Sequence, residues 1–211
     1  LVPNISEALA MGQNEKVRVT FANAMQLAIL IVLPATVGLM TLATPIMELL
    51  YDKPGAGVAM FWSAAVVLVV GLYQISAGTL QGMGKAMVPM YSLLIGAAIK
   101  IVLTFTLTAM PAVGIRGAAL GSVIGFAVAA GNNVFQVSRR IGWGWLSSKY
   151  HVVKPLISVV AMAVLVLASY SGIYMLLDSN GLATLASIAI GGSAYFAVLL
   201  AIGGVSLEII R

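Results

Sequence analysis

The stretch Val58–Leu80, VAMFWSAAVVLVVGLYQISAGTL, contains no charged residue. A membrane-spanning helix needs about 20 mostly apolar residues to cross a hydrocarbon core of about 30 Å. Its length and lack of charge predict a transmembrane helix. Working outward from it, five further apolar runs of similar length follow the same logic. They lie at about Thr20–Leu42, Val88–Met110, Ile115–Val137, Val153–Leu177 and Leu182–Val205. The predicted fold class is all-α, a polytopic transmembrane helical bundle of six spans. Of the 211 residues, 61% are hydrophobic and 8% charged, and the mean hydropathy is +1.08. A soluble domain carries about 25% charged residues, so a water-facing surface is excluded and the bilayer is the matching solvent.

Turn chemistry separates the runs. Asp52-Lys53-Pro54-Gly55, Gln81-Gly82-Met83-Gly84-Lys85, Pro111 with Gly114, and Asp178-Ser179-Asn180-Gly181 each punctuate the pattern. Arg139–Lys154 is the longest polar connection. Pro34 falls inside the first run and predicts a kink. Pro45 separates a short amphipathic tail, Ile46–Tyr51. Before the first run, Ser6, Glu7, Gln13, Asn14, Glu15, Lys16 and Arg18 make an interfacial segment, with Ser6 placed to cap a short helix. These features divide the chain into an interfacial segment (1–19), four spans (20–137), a basic loop (138–152) and two further spans (153–211). The abrupt start at Leu1-Val2-Pro3, with no signal peptide, reads as a fragment with upstream sequence missing.

The net charge of +5 is spread between the apolar runs, so it reads as a topology signal and not as a nucleic-acid patch. Lys16, Arg18, Lys85, Arg139, Arg140, Lys149, Lys154 and Arg211 fall on one side, and only Lys53 and Arg116 on the other. The positive-inside rule therefore places the N-terminal segment and the C-terminus in the cytoplasm.

Chemistry-bearing residues inside the spans are few. With no cysteine and His151 alone, no disulfide framework or metal cluster is expected. There is no phosphate-binding Gly-x-x-x-x-Gly-Lys-Ser/Thr loop and no catalytic constellation, so no enzyme activity and no cofactor are expected. Lys100 stands near the middle of the third run, where a charge costs about 2.5–3.5 kcal/mol on insertion scales. It is either a cavity cation that meets an anionic headgroup, or a lysine paired or snorkelling within the bundle. Gln74 and Gln81 are two helical turns apart and share a face with Gly78. They and Asn132 are candidate cavity residues, with interhelical hydrogen bonding as the plainer reading. Gly78 with Gly82, and Gly117, Gly121 and Gly125, recur every four residues and predict close helix packing; with Pro34 they are also candidate hinges. Trp143 and Trp145 beside Arg139 and Arg140 suit the headgroup layer.

Several short motifs, in order, resemble a known family. Pro3-Asn4-Ile5-Ser6-Glu7-Ala8 with Gly12 comes first, then Leu33-Pro34-Ala35-Thr36-Val37-Gly38-Leu39 and Ala43-Thr44-Pro45-Ile46. Gln74-Ile75 with Gly78, Leu80-Gln81-Gly82-Met83-Gly84-Lys85 with Pro89, and Gly114-Ile115-Arg116-Gly117-Ala118-Ala119 with Gly125 follow. Together they resemble the multidrug/oligosaccharidyl-lipid/polysaccharide exporter superfamily, in its stage V sporulation protein B and lipid II flippase branch. The resemblance implies two helical lobes around a central cavity, of which this chain is most of the second, C-terminal one. It implies a bacterial cytoplasmic membrane protein that moves a polyprenyl-pyrophosphate-linked saccharide by alternating access. Its partners would be that lipid-linked saccharide, membrane lipids and the missing N-terminal lobe, with no nucleic acid. The branch's main cationic headgroup residues are absent from this segment. The alternatives are a cation-coupled multidrug exporter of the same superfamily and a non-transporting scaffold in cell-wall or spore assembly.

Overall fold

The computed structural model describes residues 1–146 and 150–203. Among them the chain forms eight α-helices and no strand. They are α1 (Val2–Ala10), α2 (Asn14–Thr41), α3 (Ala43–Tyr51), α4 (Gly57–Gly82), α5 (Met87–Thr108), α6 (Arg116–Ile141), α7 (Tyr150–Leu177) and α8 (Asn180–Ala201). Six of them, α2 and α4–α8, are long and apolar enough to cross a membrane. Lys149 and Arg211, from the charge pattern, and the expected end of the sixth span at Val205 lie outside the described residues.

The packing divides into two units. The first comprises Leu1–Ile29 and Val66–Lys149, the second Leu30–Ala65 and Tyr150–Arg211.

In the first unit, α1 opens with Pro3 in its first turn, where a missing N–H costs nothing. The helix starts at Val2 with Leu1 as its cap, so Ser6 is an interior residue and not the cap its polarity suggested. Its hydroxyl instead donates to the carbonyls of Val2 (3.1 Å) and of Gly82 in α4 (2.9 Å). Gly82 explains the close approach, since a Cβ there would lie 2.9 Å from the Ile5 Cβ. Ile5 and Ala8 of α1, Phe21 and Met25 of α2, Leu80 of α4 and Val137 of α6 share one buried cluster. Trp145 joins it edge-on to Phe21, with ring centroids 5.0 Å apart, and its indole N–H donates to Ser138 Oγ at 2.9 Å. Trp143, by contrast, is 54% exposed. Only one of the two tryptophans therefore has the exposure expected of a headgroup-layer residue.

The α4–α5 hairpin closes on Gly84 at φ +70°, with the Lys85 N–H returning to the Leu80 carbonyl at 2.8 Å. A left-handed residue just after a helix is a glycine task. α5 and α6 then pack along the glycine series. A Cβ on Gly117 would meet Leu107 at 2.7 Å, one on Gly121 would meet Thr104 Oγ1 at 2.8 Å, and one on Gly125 would meet the Gly96 carbonyl oxygen at 2.5 Å. Apolar contact gains little in lipid, where the tails are as apolar as leucine. Close van der Waals packing and interhelical hydrogen bonds do the holding instead.

In the second unit, Pro45 sets the break between α2 and α3. It gives no N–H to the Thr41 carbonyl and its ring crowds that carbonyl, and α2 ends at Thr41. α3 stops at Asp52, a left-handed residue at φ 53°, which the short polar side chain tolerates. Asn180 then ties three helices together. Its amide donates to the Pro45 carbonyl (3.1 Å), and its oxygen accepts from Tyr170 Oη (3.0 Å) and Thr184 Oγ1 (3.1 Å). Gly191 of α8 lets Val166 of α7 come close. Pro34 sits inside a continuous α2.

Candidate functional site

Lys100 stands on α5, about 12 Å from the nearer helix end at 1.5 Å per residue. Its surroundings follow from the glycine crossing. Where Gly96 and Gly125 bring the two backbones together, no side chain fills the space beside them. The result is a cavity of about 270 Å³, lined by Leu93, Gly96, Ala97, Lys100, Gly125 and Phe126. Lys100 is the one ionisable group in that lining, and it is exposed. A Cβ on Gly125 would lie 2.9 Å from the Lys100 Cβ, so the glycine fixes how far the lysine stem stands from α6. Phe126 is held from behind by Tyr73 of α4, with ring centroids 6.3 Å apart, and Tyr73 donates its hydroxyl to the Pro89 carbonyl at 3.1 Å.

The other candidates fall differently. Gln74 and Gln81 are both exposed on α4, and neither lines the lysine cavity. Gly78, on the same helix, faces the Leu1 side chain at 3.5 Å. Asn132 is half-buried and donates to Ser92 Oγ at 2.8 Å, which fastens α6 to α5. Asn133 is 0% exposed, and among the described residues neither polar atom of its side chain has a hydrogen-bond partner. Pro34 lines a separate apolar groove of about 510 Å³ in the second unit, together with Gly38, Gly191, Gly192, Tyr195 and Phe196. Sequence reasoning missed Phe126 and Tyr195. Both are aromatic residues in apolar runs, and nothing local sets them apart from packing residues. Among the described residues, no group of three or more His, Asp or Glu side chains gathers to hold a metal ion.

One cation opens on an otherwise apolar recess. The family model described as lipid II flippase MurJ matches residues 1–187. The chain belongs to this family. Three curated proteins of Bacillus subtilis (strain 168) show the same kinship. The chain is 28% identical over 210 residues to the uncharacterized membrane protein YabM, covering 96% of this chain and 38% of that protein. It is 24% identical over 207 residues to the lipid II flippase MurJ, covering 92% and 38%. It is 34% identical over 125 residues to stage V sporulation protein B, covering 59% and 24%. The chain thus spans about two fifths or less of the length of these relatives. No solved structure matches it. With six apolar membrane-length helices, this member of the MurJ family is a multi-pass membrane protein.

Proposed function

We propose that the chain is the C-terminal lobe of a flippase that carries a polyprenyl-pyrophosphate-linked saccharide, lipid II or a related cell-wall precursor, across the cytoplasmic membrane. The observation that carries this reading is the family match across residues 1–187. The headgroup crosses through a polar path between two lobes by alternating access, while the polyprenyl tail stays in the bilayer. No bond of the substrate is made or broken, so the protein is a transporter and not an enzyme.

Lys100 is the residue of this segment that meets the diphosphate. A fixed cation on an apolar recess attracts an anion more strongly than one in water, because the local dielectric is low. The cavity accounts for a lysine that the bilayer would otherwise disfavour. Gln74, Gln81 and Asn132 are secondary candidates for contacts along the path. The excess of Lys and Arg on one side supports cytoplasmic placement of both termini.

The test is complementation. A host depleted of its own lipid II flippase receives either the full reading frame that encodes this chain or the 211-residue chain alone. Rescue by the full frame and not by the chain alone is the expected result. Failure of the full frame, with membrane expression verified, sinks lipid II as the substrate.

A further inference from the structure

Pro34 lies inside α2 and has no N–H, so it offers nothing to the carbonyl four residues earlier, that of Leu30. An unmatched backbone carbonyl inside a bilayer is costly, because no water reaches it. Here a second helix supplies the donor. Tyr195 of α8, 165 residues further along the chain, donates its phenol O–H to the Leu30 carbonyl at 2.8 Å. Tyr195 is 1% exposed and packs in a cluster with Met162, Val166 and Leu199. Phenylalanine would fill the same apolar volume without making this bond, so the hydroxyl is the informative atom.

A second side chain of α8 makes a bond of a different kind to the next helix. The Asn180 amide, at the start of α8, donates to the Pro45 carbonyl in α3 at 3.1 Å. α2 at Leu30 and the first turn of α3 at Pro45 are therefore each tied to α8 by one side-chain bond to a main-chain carbonyl. Main-chain helix bonds stand or fall as a ladder. A single side-chain hydroxyl can let go by one bond rotation and leave the ladder intact.

We infer that Tyr195 and Pro34 form a conformational latch, in which the phenol supplies the hydrogen bond that the proline withholds and its making and breaking sets how α2 bends between Leu30 and Pro34. The proline sits where a helix kinks most readily. The bond to α8 holds one state of α2, and its release frees the others. The transport consequence rests on the flippase reading above; the hydrogen bond and its effect on α2 do not.

The experiment uses the full protein in lipid nanodiscs and hydrogen–deuterium exchange over the peptide 31–38. Tyr195→Phe removes the hydroxyl alone and should speed exchange there about tenfold, as loss of one buried hydrogen bond predicts. Pro34→Ala restores the helical donor to Leu30, so adding Tyr195→Phe to that background should change exchange less than about twofold. Equal acceleration in both backgrounds, or none in either, overturns the latch. Should Tyr195→Phe alone yield no folded protein, recovery of folded yield in the double variant supports it, and no recovery overturns it. In vesicles, each single variant should slow flipping while the wild type transports. Exchange that follows the latch pattern with unchanged flipping would make the bond a fixed strut and overturn the latch. A wild type that flips nothing would overturn the flippase reading instead, and the exchange result would still decide the latch.

Discussion

Adding one methyl group to Gly125 tests the α5–α6 crossing directly. The new Cβ would lie 2.5 Å from the Gly96 carbonyl oxygen and 2.9 Å from the Lys100 Cβ. Unstrained carbon contacts lie at about 3.5–4.0 Å, so the helices must part by about 1 Å. Overpacking of this kind costs about 1–3 kcal/mol. Alanine in a helix gains back about 0.8–1.0 kcal/mol over glycine. The matched control is Gly131→Ala, six residues on in the same helix, where nothing lies within 4 Å of the added atom. That variant keeps the propensity gain without the clash. Gly125→Ala should therefore be less stable than Gly131→Ala by about 1–3 kcal/mol. Reversible detergent-induced unfolding of the purified full protein, followed by tryptophan fluorescence, measures the difference. If the two variants agree to within about 0.5 kcal/mol, the backbones are not in contact and the account of the cavity beside Lys100 fails. Gly125→Ala should also lower transport, because it pushes against the Lys100 stem.

Lys100→Ala should reduce flipping in the complete protein more than Lys100→Arg does, since arginine keeps the charge; full activity of both in a vesicle assay would remove Lys100 from the path. Asn180→Ala removes two accepted bonds and one donated bond where three helices meet. Two of these bonds, to Pro45 and from Tyr170, are interhelical, so at about 0.6 kcal/mol each the variant should cost roughly 1 kcal/mol in the same unfolding assay, and a neutral result would mean that α3 is not held there. Trp145→Phe keeps an aromatic ring but loses the indole bond to Ser138 and part of the packed volume against Phe21, and should cost at least the roughly 0.5–1.5 kcal/mol of the bond with little effect on transport.

The six spans were legible because each is an apolar run bounded by residues that favour turns. Their ends were less so. α2 begins at Asn14, six residues before the apolar run, because helical hydrogen bonding continues into a polar segment that the bilayer does not require. α6 likewise runs through Arg139 and Arg140 to Ile141, since basic residues suit the last turn of a helix. The glycine series on α6 was readable as a packing face from spacing alone, though its partner on α5 was not. Lys100 stood out because a charge in an apolar run has no ordinary explanation, whereas Phe126 beside it carries no such mark. Gln74 and Gln81 share exposure on α4, but a heptad spacing says only which way side chains point and not what they meet. Asn132 and its neighbour Asn133 look alike in the chain, yet one finds Ser92 and the other finds no partner among the described residues. The bonds that pair distant residues, such as Asn132 with Ser92 and Tyr195 with Leu30, obey no local period and emerge only from the fold.

The span of 165 residues between Leu30 and Tyr195 also has a meaning in time. Ribosomes add roughly 5–20 residues per second, so about 8–33 s separate synthesis of the carbonyl from synthesis of its donor. During that interval α2 must enter the bilayer with a proline and an unclaimed carbonyl at its centre. Until α8 arrives, a passing hydroxyl, a trapped water or the insertion machinery itself has to stand in for Tyr195. The nascent chain is therefore most exposed to misassembly and quality-control proteolysis in the window that α8 closes.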